Sequence, residues 1–178
     1  MAVYPVSEDT LLLKNCLKER ELEDVKFLEM GTGNAENAVK AAEKGAEVTA
    51  VDINQEAVEY AEKKFEEEGL EAEVFRSNLF EQVKDTFDLI VFNPPYLPGE
   101  KGLGLEKHWR GGEKGVELSE RFLEEVDSYL NDQGEVLLVL SSLADVEKLK
   151  EGFELRAVAE KELWFESLEV VRYSKTIE

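Results

Sequence analysis

The chain has 178 residues, of which 43% are hydrophobic, and its 41 acidic and 21 basic side chains give a formal net charge of -20. This length predicts a single domain over residues 1–178. The acid surplus disfavours nucleic acid as a primary substrate because it repels phosphates. No apolar run is long enough for a membrane span and no signal-peptide pattern opens the chain, so we expect a cytoplasmic protein. The single cysteine, Cys16, excludes an internal disulfide and a cysteine-rich zinc site, and we predict no metal centre.

Residues 1–24 are predicted to form a helical segment. Ser7 stands before two acids, Glu8 and Asp9, and a run of leucines. A serine at this position can cap a helix, and acids in the first turn interact favourably with the helix dipole. Cys16 lies among leucines of the same segment and is expected to be a small buried hydrophobe rather than a catalytic thiol.

From residue 25 onward, short apolar runs alternate with helical stretches, which predicts a mostly parallel sheet with helices packed on it. The predicted strands are 25–30, 48–52, 72–76, 87–93 and 135–141. Asn54 is placed to cap a helix that Gly69 ends, and an apolar stripe over 116–130 predicts another helix. Two final β-like runs, 153–165 and 168–174, predict an antiparallel pair at the sheet edge.

A glycine-rich turn follows the first predicted strand. It contains Gly31 and Gly33, and Asp52 ends the second strand about twenty residues later. Glycines allow the backbone to approach a ligand closely, and an acid at this spacing can accept both hydroxyls of a ribose. The third glycine of the dinucleotide fingerprint is absent, so pyrophosphate binding is not favoured. The pattern predicts a nucleotide site, although a turn of this kind can also be purely structural.

The sequence Asn93-Pro94-Pro95-Tyr96 follows the fourth predicted strand. Two prolines restrict the backbone and remove two amide donors. The side-chain oxygen of Asn93 and the carbonyl of Pro94 can then accept both hydrogens of one NH₂ group, while Tyr96 offers a flat surface. A loop that draws electron density onto an amide or amine nitrogen promotes its attack on a methyl donor. A proline turn that simply ends a strand is the alternative interpretation.

On these residues, the chain resembles the class I methyltransferases, and in particular the HemK-type protein glutamine methyltransferases. The resemblance implies a seven-stranded Rossmann-like α/β fold, mostly parallel with an antiparallel C-terminal pair, and S-adenosylmethionine as methyl donor. It implies a catalytic loop of Asn93, Pro94, Pro95 and Tyr96. The implied cofactor residues are Glu8, Asp9, Thr10, Glu29, Gly31, Thr32, Gly33, Asp52, Ile53, Asn78, Leu79 and Asn93. Asn78 departs from the aspartate usual in the family, but an amide can still bond the adenine amino group.

Two further segments resemble the short archaeal and eukaryotic members of this family. The first segment comprises Tyr4, residues 7–10 and the leucines that follow, and the second is 109–117. In the first segment, Val6 stands where relatives often have proline. The resemblance implies N5-methylation of the glutamine in the Gly-Gly-Gln motif of an archaeal-type peptide release factor. It also implies a heterodimer with a small zinc-binding activator subunit, for which an edge strand near 72–76 is the expected docking place. We expect no counterpart here of the N-terminal helical domain that bacterial members carry.

Three alternatives stay open at this point. The same loop can hold the exocyclic amine of a base, which would make the chain an adenine-N6 or guanine-N2 methyltransferase of RNA or DNA. A lysine of another protein could also be the acceptor. A methyltransferase fold can finally serve as a non-catalytic scaffold, which the set of Gly31, Gly33, Asp52 and Asn93 disfavours. His108 is a candidate general base, but the reaction does not require one.

The acid surplus also predicts how stability responds to salt. A chain with a net charge of -20 repels itself, and added salt screens that repulsion. If the surface is adapted to a salty archaeal cytoplasm, the melting temperature is expected to rise as KCl increases from low to molar concentration, as thermal denaturation can measure. A melting temperature that falls steadily over this series would contradict the adaptation.

Overall fold

The computed structural model describes residues 6–95 and 116–175. These residues form an α/β fold in which helices pack on a seven-stranded sheet. The strands are β1 Lys26–Met30, β2 Glu47–Asp52, β3 Glu73–Arg76, β4 Phe87–Phe92, β5 Leu130–Ser141, β6 Arg156–Glu162 and β7 Ser167–Ser174. The helices are α1 Glu8–Lys18, α2 Glu36–Glu43, α3 Gln55–Glu68, α4 Glu117–Val126 and α5 Val146–Gly152, with a short 3₁₀ turn at Asp127–Tyr129.

The strand order is β3-β2-β1-β4-β5-β7-β6. The first five strands are parallel, and β7 pairs antiparallel with both β5 and β6. The predicted fold class, including the antiparallel C-terminal pair, is therefore confirmed. The chain moves outward from β1 to β3 and then returns to β4 on the other side of β1. Such a reversal leaves a crevice at the carboxyl ends of β1 and β4, where ligands bind in open α/β sheets.

The sheet separates two hydrophobic cores. On β4, Leu89 and Val91 pack with α1, α2 and α3, whereas Ile90 and Phe92 pack with α4 and α5. Successive side chains of a strand point to opposite faces, so a strand covered on both faces must be apolar at nearly every position. This explains why β4 could be predicted from its continuous apolar run.

The structure confirms some predicted helix ends and modifies others. The Asn54 side chain accepts a hydrogen bond from the Glu56 N–H at 3.1 Å, and Gly69 ends α3 with a φ of 65°. Ser7 occupies the N-cap position of α1 as predicted, but its side chain makes no capping hydrogen bond. Its hydroxyl instead contacts the Asp9 carboxylate, whose Oδ1 also accepts the Thr10 N–H at 2.6 Å.

Two predicted boundaries near the C-terminus are wrong. The helix predicted over 116–130 ends at Val126, and Leu130 already begins β5 and pairs with Phe87. A buried leucine continues a helical apolar stripe and also starts a buried strand, so its position alone could not decide. The run predicted over 153–165 forms a strand only over Arg156–Glu162, because α5 extends to Gly152.

Candidate active site

Four loops meet at the carboxyl edge of the sheet. They follow Met30, Asp52, Arg76 and Phe92, the last residues of β1 to β4. Because β3, β2, β1 and β4 are neighbours and parallel, these loops lie side by side. The structure thus brings together the glycine turn, Asp52, the segment after β3 and the first residues of the proline loop.

The glycine turn has an unusual backbone. Gly31 and Gly33 have φ angles of 66° and 50°, and Ala35 is also left-handed with a φ of 57°. A Cβ atom on Gly31 would stand 3.3 Å from the Phe92 ring, so this position leaves little space for a side chain. Ala35 takes up the same left-handed conformation at a cost of about 1 kcal/mol, and it is fully buried. The left-handed backbone of the turn therefore extends to Ala35, which is not a glycine.

Asp52 connects this turn to the end of β2. Its Oδ2 accepts the Gly33 N–H at 3.0 Å, and its Oδ1 accepts the Asn54 N–H at 2.8 Å. Burial raises the pKa of this carboxyl, while backbone hydrogen bonds, including that from Ile53, oppose the rise. A carboxylate offers about four acceptor positions, so lone pairs remain for ribose hydroxyls. Asp52 thus lies beside the glycine turn, and its contact with a ribose stays a prediction.

Glu29 lies beneath the turn. Its Oε2 accepts the Thr32 hydroxyl at 2.7 Å and the Ala38 N–H at 3.1 Å, and the Asn37 side chain bonds it as well. Burial raises the pKa of Glu29 to about 7, against the hydrogen bonds, and the charge of Asp52 adds a little to the rise. The carboxylate serves the turn itself, so we interpret Glu29 as a residue that positions the cofactor site from below.

The segment after β3 is also held by local hydrogen bonds. The Ser77 N–H donates to the Asp52 carbonyl at 3.0 Å, and the Ser77 hydroxyl donates to the Leu79 carbonyl at 2.6 Å. Leu79 is buried and left-handed, with a φ of 49°. Half-buried Asn78 donates through Nδ2 to Glu81 at 2.7 Å, which leaves its Oδ1 to accept from a ligand. The carbonyl of Ile53, opposite, accepts the Arg76 Nε–H at 2.9 Å.

Asn93 carries an orphaned acceptor. Its Oδ1 is buried and has no hydrogen-bond partner in the described part of the chain. Leaving a buried polar oxygen unpaired costs about 1–3 kcal/mol, a cost that persists where function needs the group. Pro94 and Pro95 follow and bring no N–H that could satisfy it. Tyr96, the fourth predicted residue of the loop, lies outside the described residues.

The three N-terminal residues predicted to border the cofactor differ in burial. Asp9 and Thr10 are buried in the first turn of α1, whereas Glu8 is exposed and forms an ion pair with Lys161 of β6. Helix α1 packs against α2, the helix that the glycine turn leads into. A role for Glu8, Asp9 and Thr10 at the cofactor stays a prediction. Tyr4, His108 and most of the segment 109–117 lie outside the described residues.

One supporting cluster was missed by the sequence analysis. Glu36, the first residue of α2, accepts hydrogen bonds from Lys14 of α1 and Lys64 of α3. Burial alone would raise the pKa of Glu36, but the two lysines outweigh it and lower that pKa. Lys64 also donates to the Asn34 carbonyl at 3.0 Å. The cluster anchors the glycine turn to two helices, and its members are too far apart in sequence to form a recognisable motif.

The described residues contain no cluster of three or more histidine, cysteine or acidic side chains suited to a metal ion. Among residues 6–95 and 116–175, no helix has the length and apolar character needed to cross a membrane.

Comparison with known proteins identifies similar sequences. The methyltransferase small domain family matches residues 6–169. A protein of Methanocaldococcus jannaschii, named as a candidate protein N5-glutamine methyltransferase, is 36% identical over 95% of this chain and 90% of its own length. The release factor glutamine methyltransferase of Streptococcus pneumoniae is 30% identical over 76% of this chain, which spans about half (53%) of that protein.

Solved structures share the fold. The complex of E. cuniculi Mtq2 with Trm112, described as responsible for the methylation of the translation termination factor eRF1, has a TM-score of 0.77 at 22% identity and covers 99% of this chain and 100% of that one. The T. thermophilus 16S rRNA N2 G1207 methyltransferase, solved with AdoMet and guanosine, also has a TM-score of 0.77, at 24% identity, over 97% of this chain and 44% of its own.

The raised pKa of Glu29 predicts a pH effect on stability. An unfolded glutamate loses its proton near 4.5 and the folded one near 7, so between these values the folded state binds more protons and stability falls as pH rises. Glu29→Gln cannot titrate but keeps an oxygen for Thr32 and Ala38. We expect the variant to gain roughly 1 to 3 kcal/mol relative to the wild type between about pH 5 and pH 8, measured by urea denaturation. Parallel pH profiles would contradict this assignment.

Proposed function

Because the chain belongs to the methyltransferase small domain family, we propose that it transfers a methyl group from S-adenosylmethionine to the side-chain amide nitrogen of a glutamine in another protein. The observation that carries the proposal is the buried, unpartnered Oδ1 of Asn93. The site stands at the sheet reversal where ligands bind in this architecture, and relatives at 30–36% identity are named glutamine methyltransferases.

The residues present fit the cofactor. The Gly31–Gly33 backbone turns tightly against Phe92 and carries no side chain that would keep a ligand away from it, and Asp52 has acceptor capacity for the ribose. Asn78 has a free amide oxygen for the adenine amino group. When bound, S-adenosylmethionine supplies an electrophilic methyl group on its sulfonium. Glu29, Glu36 and their partners hold the turn in place before the cofactor arrives.

The Asn93 side chain can activate a weak nucleophile. An amide nitrogen attacks poorly because its lone pair is delocalised into the carbonyl. If Asn93 Oδ1 accepts one amide hydrogen and the Pro94 carbonyl accepts the other, the nitrogen gains electron density and its orientation is fixed. The acceptor oxygen is already desolvated, so the hydrogen bond it makes is stronger than one made in water. After transfer the nitrogen is acidic and its proton is lost without a dedicated strong base.

The acceptor that we favour is the glutamine of the Gly-Gly-Gln motif in an archaeal-type peptide release factor. Support comes from the named relatives of Methanocaldococcus and Streptococcus. The eRF1-directed complex, at 22% identity, shares the fold alone. Such a substrate places the reaction in the cytoplasm. A glutamine also satisfies two acceptors with one planar NH₂ group, which a lysine ammonium does less well because it is tetrahedral and must first lose a proton.

A base amine is the second candidate, since a structure with the same fold was solved with guanosine. That likeness, at 24% identity, extends to the fold alone. A net charge of -20 opposes a phosphate backbone. The protein acceptor is therefore preferred.

We also propose a heterodimer with a small zinc-binding activator that docks at the β3 edge. Within the described residues β3 pairs with β2 alone, so its outer edge is open for strand addition. An open groove of about 930 Å³ lies next to it, and its mixed lining places Phe65, Val74 and Phe87 among acidic side chains. Exposed Glu71 and Glu73 stand at its rim, which favours a partner that is basic around an apolar centre.

Reversing the rim charges tests this docking place. Glu71→Arg with Glu73→Arg is expected to weaken binding of the activator about tenfold, because two charge pairs at a rim contribute roughly 1 kcal/mol or less each. Calorimetric titration of the purified chain with the activator measures it. Glu59→Arg with Glu67→Arg makes the same charge change on exposed α3 positions outside the groove and is the control. Equal affinity in both double variants would refute the docking place, as would failure of the pair to co-elute together with full activity of the chain alone.

The catalytic role of Asn93 gives a second prediction. Asn93→Ala removes the acceptor and is expected to lower the turnover number on the acceptor protein by about a hundredfold or more, with cofactor affinity nearly unchanged. Since Oδ1 makes no hydrogen bond in the free protein, the variant should be at least as stable as the wild type.

Asn37→Ala is the matched control, because Asn37 is also buried with an unpartnered Oδ1 but bonds Glu29 beneath the turn. We expect it to lower stability and cofactor affinity and to leave the turnover number at saturating cofactor within about twofold. Single-turnover kinetics and calorimetry separate the two patterns. Wild-type turnover in Asn93→Ala would exclude the proposed mechanism.

A further inference from the structure

The connection between β6 and β7 presents two aromatic side chains to solvent. Trp164 is 97% exposed and Phe165 is 64% exposed. They occupy the turn of a hairpin, between Leu163 and Glu166, where the Leu163 N–H donates to the Glu166 carbonyl at 2.8 Å. Tight turns favour glycine, asparagine and aspartate, and large aromatics give a turn no conformational advantage. Neither the turn geometry nor the core therefore explains why two large aromatic side chains stand here.

We infer that this pair, the hairpin tip, is a docking element for the acceptor protein. The inference rests on the proposed function, and it goes beyond the catalytic loop by assigning a surface that holds the acceptor at a distance from the reacting glutamine. The occupant that the surface fits is a segment of the acceptor protein with an apolar pocket flanked by basic side chains.

The hairpin tip is held firmly. The Ser141 hydroxyl at the end of β5 donates to the Glu166 carboxylate at 2.5 Å. The Ser142 N–H donates to the Ser167 carbonyl at 2.9 Å, and the Ser167 N–H returns a hydrogen bond to the Ser142 hydroxyl at 2.9 Å. Aromatic anchors on a rigid support bind with less loss of conformational entropy than anchors on a mobile loop.

The strand register places the hairpin tip on the catalytic edge. Phe92, which precedes Asn93, pairs with Leu138 of β5, whereas Ser141, three residues further on, pairs with Leu168 of β7. With strands about 4.8 Å apart and a rise of about 3.3 Å per residue, the tip stands on the order of 15 Å from Asn93 and projects past it. A standard protein interface of about 800 Å² per partner spans both positions.

The charges beside the hairpin tip indicate the chemistry of its partner. Glu160 and Glu162 on β6 are exposed, while Lys161 between them is already paired with Glu8. The tip thus presents an apolar centre beside negative charge. An acceptor segment with lysine or arginine around an apolar pocket would complement both features.

The test uses Trp164→Ala with Phe165→Ala in the full chain together with its activator. The substrates are an archaeal-type release factor and a short peptide that carries Gly-Gly-Gln. Because both side chains are exposed, the melting temperature should stay unchanged. We expect KM for the release factor to rise about thirtyfold, as for the loss of an interface anchor, with kcat within about twofold. Activity on the peptide, which cannot reach the tip, should equal that of the wild type.

Tyr60→Ala provides the control, since Tyr60 is an aromatic residue of α3 that is 44% exposed and lies away from the hairpin. It should leave KM for the release factor unchanged. Wild-type KM in the Trp164 and Phe165 double variant would overturn the docking role while leaving glutamine methylation intact. An equal loss on protein and peptide would also overturn it. A wild-type enzyme that methylates neither substrate would refute the proposed function and the docking role together.

Discussion

The hydrogen bond from the Gly33 N–H to the Asp52 carboxylate is the interaction on which the site depends. It joins the turn after β1 to the end of β2, so the predicted cofactor-binding groups of two strands form one surface. Because Asp52 is buried, backbone N–H groups rather than water satisfy its carboxylate. Without this constraint, the left-handed residues of the glycine turn would lose the partner that fixes their direction.

A second buried carboxylate, that of Glu29, supports the glycine turn from below. Glu29 holds Thr32 and the first turn of α2, and Glu36 ties the same turn to α1 and α3 through two lysines. The three acids are thus shared between loops and helices that meet only in the folded chain. On the other side of β1, Asn93 is left with an unsatisfied oxygen. Asn37 Oδ1 beneath the turn and Asn54 Nδ2 at the start of α3 are also buried without a partner, and of the three Asn93 Oδ1 lies where the substrate is proposed to bind.

Sequence alone predicts those parts of this arrangement that depend on local pattern. The continuous apolar run of β4, the Asn54 cap and the Gly69 stop are local features, and the structure confirms each. The prediction that Leu130 belongs to a helix was wrong because a buried leucine suits a helix end and a strand start equally well. The support by Glu36 and the left-handed backbone at Ala35 were missed, because both are imposed by residues distant in sequence or by packing. Resemblance to a family gave site residues, but it could not show that Glu29 faces its own turn.

The position of the transferred methyl group tests the central claim most directly. The chain and its activator are incubated with S-adenosylmethionine carrying a labelled methyl group, an archaeal-type release factor and total RNA, and the products are mapped by fragment mass spectrometry. The account predicts one methyl group on the side-chain nitrogen of the Gly-Gly-Gln glutamine and none on RNA. Label on a base or on a lysine, with an unmodified glutamine, would contradict it.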